Sequence, residues 1–195
     1  MELLSIVTYP HPALRWESKP IVEIDDRLRE AVRQMFALMY EAKGIGLAAN
    51  QVALPWRLFV INPSGDPTQT DEEFVFINPE ILRRKGSDED EEGCLSLPEM
   101  YGPVRRSTSI VVEAFDLEGQ AFRMDLDDFA ARVVQHEFDH IEGVLFIDRM
   151  TDAQRRDYEA KLADFETAFR KSQQTGETPD DDALKQRLRE LEPRE

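Results

Sequence analysis

The chain has 195 residues, 41% of them hydrophobic and 33% charged, which suits one soluble globular domain with a sizeable core. Its formal net charge of −16 argues against free-standing affinity for nucleic acid, which needs basic patches that displace counterions. A single cysteine excludes an intramolecular disulfide and a multi-cysteine zinc ribbon, no apolar run could span a bilayer, and residues 1–7 lack the features of a secretory signal, so a reducing cytoplasm is expected.

Residues 1–24 read as an irregular start broken by Pro10, Pro12 and Pro20. From Asp25 the spacing of Leu28, Val32, Met35, Phe36 and Met39 predicts a helix, capped by Asp25 or Asp26 and ended by Gly44 and Gly46. Residues 57–61 and 74–77 read as buried strands, stopped by Asn62-Pro63 and Asn78-Pro79. The acidic run Asp88-Glu89-Asp90-Glu91-Glu92 reads as a solvated loop. Residues 110–115 and 121–124 form the arms of a hairpin turned at 117–120. Asp127 or Asp128 then caps a helix to about Glu142, apolar nearly all round and hence buried, ended by Gly143. Thr151 to about Ser172 reads as one surface helix that completes a domain of residues 1–171. Residues 172–195 follow as a charged tail, disordered or folded as a short helix over Leu184–Leu191. A few antiparallel strands with segregated helices make an α+β fold, with small antiparallel sheets packed around the buried helix.

That helix carries Gln135-His136-Glu137-Phe138-Asp139-His140. Residues four apart share a helical face, so His136 and His140 can grip one metal ion with Glu137 beside it, the geometry of the H-E-x-x-H metallohydrolases. A tetrahedral catalytic ion takes three protein ligands and keeps one position open, which leaves one ligand to find. Phe146 stands where the metzincin pattern would place a third histidine. Asp157, Glu159 and Glu166 are acidic alternatives, but Cys94 in Glu92-Gly93-Cys94-Leu95-Ser96, between two structure breakers, is the better candidate. A third stretch, Gly44-Ile45-Gly46-Leu47-Ala48-Ala49-Asn50-Gln51, pairs small residues that allow close approach with an amide able to donate to an oxyanion.

Taken together and in this order, the three stretches closely resemble the signature motifs of the peptide deformylases, and the resemblance runs from His11-Pro12 to about Asp148. It implies a metallohydrolase that removes the N-formyl group from the formyl-methionine of newly made polypeptides and releases formate. Cys94, His136 and His140 would hold the metal, most often Fe²⁺ in the family, with Ni²⁺, Co²⁺ or Zn²⁺ as substitutes. A metal-bound hydroxide would attack the formyl carbon with Glu137 as general base and then acid, and the Gln51 amide and Leu95 backbone N–H would receive the oxyanion. The resemblance also places Ile45, Leu95, Phe129 and Val133 near the methionine side chain, with Phe129 more simply read as core, and Gly46 against the peptide backbone.

Two features depart from the family pattern. Arg132 stands where some relatives carry an apolar pocket residue; it could line the pocket mouth and pair with a substrate carbonyl or with Glu142, or simply reach solvent. Residues 172–195 hold four Lys or Arg against seven Asp or Glu, whereas some bacterial relatives dock on the ribosome through a basic C-terminal helix. Formylated nascent chains are therefore the expected partners, with transient ribosome contact weakly supported and neither nucleic acid nor membrane expected.

Overall fold

The computed structural model describes residues 3–193. A five-stranded antiparallel sheet has the order β1 (Gly46–Ala48), β2 (Leu58–Ile61), β3 (Phe74–Lys85), β6 (Ser109–Phe115) and β7 (Ala121–Asp127). A separate two-stranded hairpin pairs β4 (Asp88–Cys94) with β5 (Leu97–Arg106). Helix α1 (Asp26–Glu41) buries Leu28, Ala31, Val32, Met35 and Met39, which pack with Leu47, Leu58 and Val60 of the sheet. Helix α2 (Asp128–Ile141) lays Ala131, Val133, Val134 and Ile141 against Ala48, Phe59 and Phe76. Both helices thus cover the sheet with the apolar stripe that their spacing provides. Among the described residues no helix is long and apolar enough to cross a membrane.

Several local expectations need correction. Helix α1 is not ended by a glycine: Lys43 takes the left-handed conformation (φ 56), and Gly44 N donates to Met39 O at 2.8 Å. This is the Schellman closure with lysine in the usual glycine position. Strand β3 does not stop at Asn78-Pro79 but runs on to Lys85. Pro79 has no N–H for the ladder, so the register shifts between Ile77 and Glu80, with Asn78 at φ 51 and its side chain bonded to both backbone groups of Ile21 at 2.8 Å. Residues 151–172 are not one helix but α3 (Asp152–Arg156) and α4 (Glu159–Gln174). Between them Tyr158 turns inward and its hydroxyl donates to Tyr101 O at 2.6 Å.

Helix α5 (Asp181–Leu191) folds back onto the body, burying Leu184 and Leu188. Trp56 Nε1 donates to Leu191 O at 2.8 Å and Trp16 Nε1 to Glu192 Oε1 at 3.0 Å. Beneath it, the N-terminal segment makes a 3-10 turn at Pro12–Arg15 and binds the later parts of the chain. Val7 N donates to Gln51 O, Tyr9 N to Ser96 O and Ser18 N to Ile141 O, at 2.8 to 2.9 Å.

Candidate metal centre

Helix α2 supplies two imidazoles and one carboxylate. Gly143 (φ 72) closes the helix, with Val144 N donating to Asp139 O at 2.9 Å. A Cβ on residue 143 would press on Arg15 O at 2.8 Å, so this turn needs glycine. The His136 and His140 rings stand 5.0 Å apart between centroids. Cys94 ends β4, where the register shifts between Gly93 and Cys94 and turns the thiol toward the helix. Cys94 Sγ lies 3.2 Å from His140 Nε2, and ligand atoms of Cys94, His136 and His140 all lie within 4.8 Å of one another.

This donor set fits a single small cation. Metal–sulfur and metal–nitrogen bonds of about 2.3 and 2.0–2.1 Å in tetrahedral geometry separate sulfur from nitrogen by roughly 3.5 Å. Burial lowers the proton affinity of both imidazoles, and His140 falls well below its usual range. His136 is nonetheless held up to about 10 by hydrogen bonds to Cys94 and Glu92. A divalent cation would have to displace the His136 proton, so its binding is expected to release protons. Asp157, Glu159 and Glu166 do not join the cluster, which among the described residues consists of Cys94, His136 and His140.

The surroundings complete the geometry. Gln51 lies on a 3-10 turn (Ala49–Val52) after β1, and its Oε1 accepts from Ala48 N at 2.8 Å. That bond orients the amide, so Nε2 faces Cys94 Sγ at 3.5 Å and Ser96 Oγ at 3.3 Å. Glu137 lies deep, with Oε2 buried and lacking a protein hydrogen bond among the described residues. Burial pushes its carboxyl up to about 7, against the lowering effect of His136. A cavity of about 630 Å³ opens here, lined by Ile45, Gly46, Gln51, Cys94, Leu95, Val133, His136 and Glu137. Phe129 also lines it but is 54% exposed at the rim, so the reading of Phe129 as core is corrected.

The largest departure from the sequence reading concerns residues 88–92. Residues 88–91 are solvent-exposed as expected, but the run is strand rather than loop, and Glu92 is buried. Glu92 Oε2 accepts from His136 Nδ1 at 2.9 Å, which orients the ring and leaves Nε2 as the nitrogen free to act as a ligand. Arg106 grips both carboxylate oxygens at 2.9 Å and also bonds Asp139, which pairs in turn with Arg149. Burial alone would raise the Glu92 carboxyl, yet Arg106 and His136 hold it well below the usual range. Arg132 lines the cavity, as one alternative had it, but its partner is corrected: it is buried and bonds Glu92, whereas Glu142 pairs with Arg57. Sequence reasoning missed Glu92 because its charge placed it with its neighbours. A run of five acids carries no alternation to mark it, and the register shift between Gly93 and Cys94 breaks the period of two that would otherwise tie residue 92 to the thiol.

A buried H-E-x-x-H helix joined by a cysteine on a facing hairpin defines a metal-dependent hydrolase. The polypeptide deformylase family pattern matches residues 3–156. A peptide deformylase of Rhodopirellula baltica is 47% identical over 189 residues, 97% of this chain and 94% of that protein. The Plasmodium falciparum peptide deformylase structure superposes with a TM-score of 0.83 at 37% identity, covering 86% of this chain and 98% of that one. Arabidopsis thaliana peptide deformylase 1B, solved with an inhibitor, gives 0.83 at 41% identity, covering 89% and 94%. The chain belongs to the peptide deformylase family.

Proposed function

We propose that the protein removes the N-formyl group from the formyl-methionine of nascent polypeptides in the cytoplasm, releasing formate. The observation that carries this reading is the convergence of Cys94, His136 and His140 beside a buried Glu137 oxygen that has no hydrogen-bond partner among the described residues. Those three side chains would hold one divalent ion, natively Fe²⁺, with Ni²⁺, Co²⁺ or Zn²⁺ able to replace it in a mixed sulfur–nitrogen set. When bound, such an ion acidifies water and polarises a carbonyl.

The chain's own residues do the rest. Glu137 takes the proton of the attacking water and returns it to the leaving amine nitrogen, which would otherwise depart as an anion. Its carboxyl, pushed up to about 7 by burial, is poised for both transfers near neutral pH. Gln51 Nε2 and the Leu95 backbone N–H donate to the oxyanion that develops on the formyl oxygen. Ile45, Leu95 and Val133 enclose the methionine side chain, and the Gly46 backbone holds the peptide. Substrate reaches the enzyme by transient ribosome contact, with little electrostatic help from the acidic tail.

The test is Glu137→Gln, assayed by formate release from formyl-Met-Ala. Full metal content with turnover reduced about 100- to 10,000-fold is expected. Wild-type turnover in a metal-replete variant would sink the mechanism. Cleavage between amino acids without formate release would instead assign a peptidase.

A further inference from the structure

The three candidate ligands come from two elements, Cys94 from the β4–β5 hairpin and both histidines from α2. Their mutual geometry depends on how the hairpin sits on the helix. A two-stranded hairpin is marginally stable alone, so side chains must dock it. Two guanidinium groups cross that junction in opposite directions. Arg106 reaches from β5 to Asp139 and to Gln135 O of α2, the latter at 3.4 Å. Arg132 reaches from α2 to both strands: Nη1 donates to Glu92 Oε1 at 2.7 Å and to Val104 O at 2.9 Å, and Nη2 donates to Asp88 O at 3.3 Å. Both converge on Glu92, whose other oxygen accepts from His136 Nδ1.

We propose that Arg132 is a positioning residue for the metal centre. It locks the cysteine-bearing hairpin to the histidine-bearing helix and fixes the Glu92 carboxylate that aims His136. This rests on the reading of Cys94, His136 and His140 as ligands. The three acceptors lie on two strands and suit a planar fork with several donors. A single ammonium cannot serve them together. Arg132 is 9% exposed and also lines the cavity, so its stem forms part of the pocket wall beside Val133. Without it, Arg106 would be the one guanidinium left on Glu92 among the described residues, and Arg106 is itself divided between Glu92 and Asp139.

The experiment uses the full chain with Co²⁺ alone as the probe, comparing wild type, Arg132→Met and Arg132→Lys. Three quantities are read: Co²⁺ affinity by chelator competition, the thiolate-to-cobalt absorption band, and thermal midpoint in excess chelator. Arg132→Met is expected to bind Co²⁺ about 10- to 100-fold more weakly, as loss of outer-shell partners typically does, with a shifted or weakened band in the loaded protein. Arg132→Lys is expected to recover only part of both. A lowered midpoint with wild-type affinity and an unchanged band would show a merely structural residue and overturn the proposal. If Arg132→Met does not fold, Arg132→Lys decides: affinity and band equal to wild type overturn it. Co²⁺ binding to wild type without any thiolate band would instead remove Cys94 from the ligand set, a failure seen before any variant is compared.

Discussion

Gly46 lies against the flank of Glu137: a Cβ on residue 46 would stand 2.8 Å from the Glu137 carboxyl carbon and 2.9 Å from its Cγ. Strand β1 and helix α2 therefore meet at a contact that only glycine allows. The backbone of Gly46 is not in the left-handed region, so a substitution there acts through the contact rather than through strain. Gly46→Ala is expected to displace the carboxylate and lower kcat by about 10- to 100-fold, a part of what a general base contributes. The check is kcat for formate release at matched metal content; an unchanged value would show that Glu137 needs no such close seat.

The Gln51 amide is oriented by its bond from Ala48 N, which leaves Nε2 as the donor over the centre. Gln51→Ala should reduce kcat by about 100- to 1,000-fold, the usual effect of losing one oxyanion donor, with a smaller change in KM. Gln51→Glu should fail similarly, because a carboxylate can accept from Ala48 N but offers the oxyanion nothing. Steady-state kinetics of both variants tests the assignment, and a loss confined to KM would contradict it.

Much of the centre could be read before any coordinates. His136, Glu137 and His140 are local on one helix, and helical spacing alone groups them. Cys94 is the better candidate for the third protein ligand beside Asp157, Glu159 and Glu166, and the resemblance to the deformylase motifs is what selects it. The supports of those residues were not legible, because they are set by tertiary pairing. Glu92 meets Arg106 only through the β4–β5 register, and meets Arg132 and His136 only through docking on α2. A run of five acids carries no apolar alternation to betray a strand, and Asn78-Pro79 looks like a stop until Ile21 is found to satisfy the Asn78 amide. The break at Tyr158 likewise depends on a carbonyl 57 residues away.

His11 gives a pH dependence. Its Nδ1 accepts from Ala13 N, and burial lowers its pKa from 6.5 to about 4, against a small opposing effect of Asp181. Between those values the unfolded chain binds a proton that the folded chain does not, so stability falls as pH drops from 6.5 toward 4. The loss attributable to His11 is about 3 kcal/mol. His11→Asn, which keeps an acceptor for Ala13, should lose that much less between pH 7 and pH 4. Urea denaturation of both proteins at the two pH values provides the comparison, and equal losses would rule His11 out.

Leu188 measures how firmly α5 is docked. It is 2% exposed, so Leu188→Ala should cost about 2–5 kcal/mol if the helix is packed in solution as it is in the structure. Indole fluorescence should follow the same transition, because Trp16 and Trp56 both donate to the end of this helix. A stability change near zero would mean that α5 is detached.

The Asn50 side chain has a consequence for when the centre can come into being. Its amide nitrogen donates both to Trp16 O and to His140 O, partners on either side of it in sequence, and His140 lies 90 residues downstream. With Val7, Tyr9 and Ser18 bound to the backbone of Gln51, Ser96 and Ile141, the earliest part of the chain must wait for one of the latest before it can settle. Such long loops close slowly. Assembly of the metal centre should therefore be a late event in the protein's own biogenesis, with the cation captured only after α2 has left the ribosome.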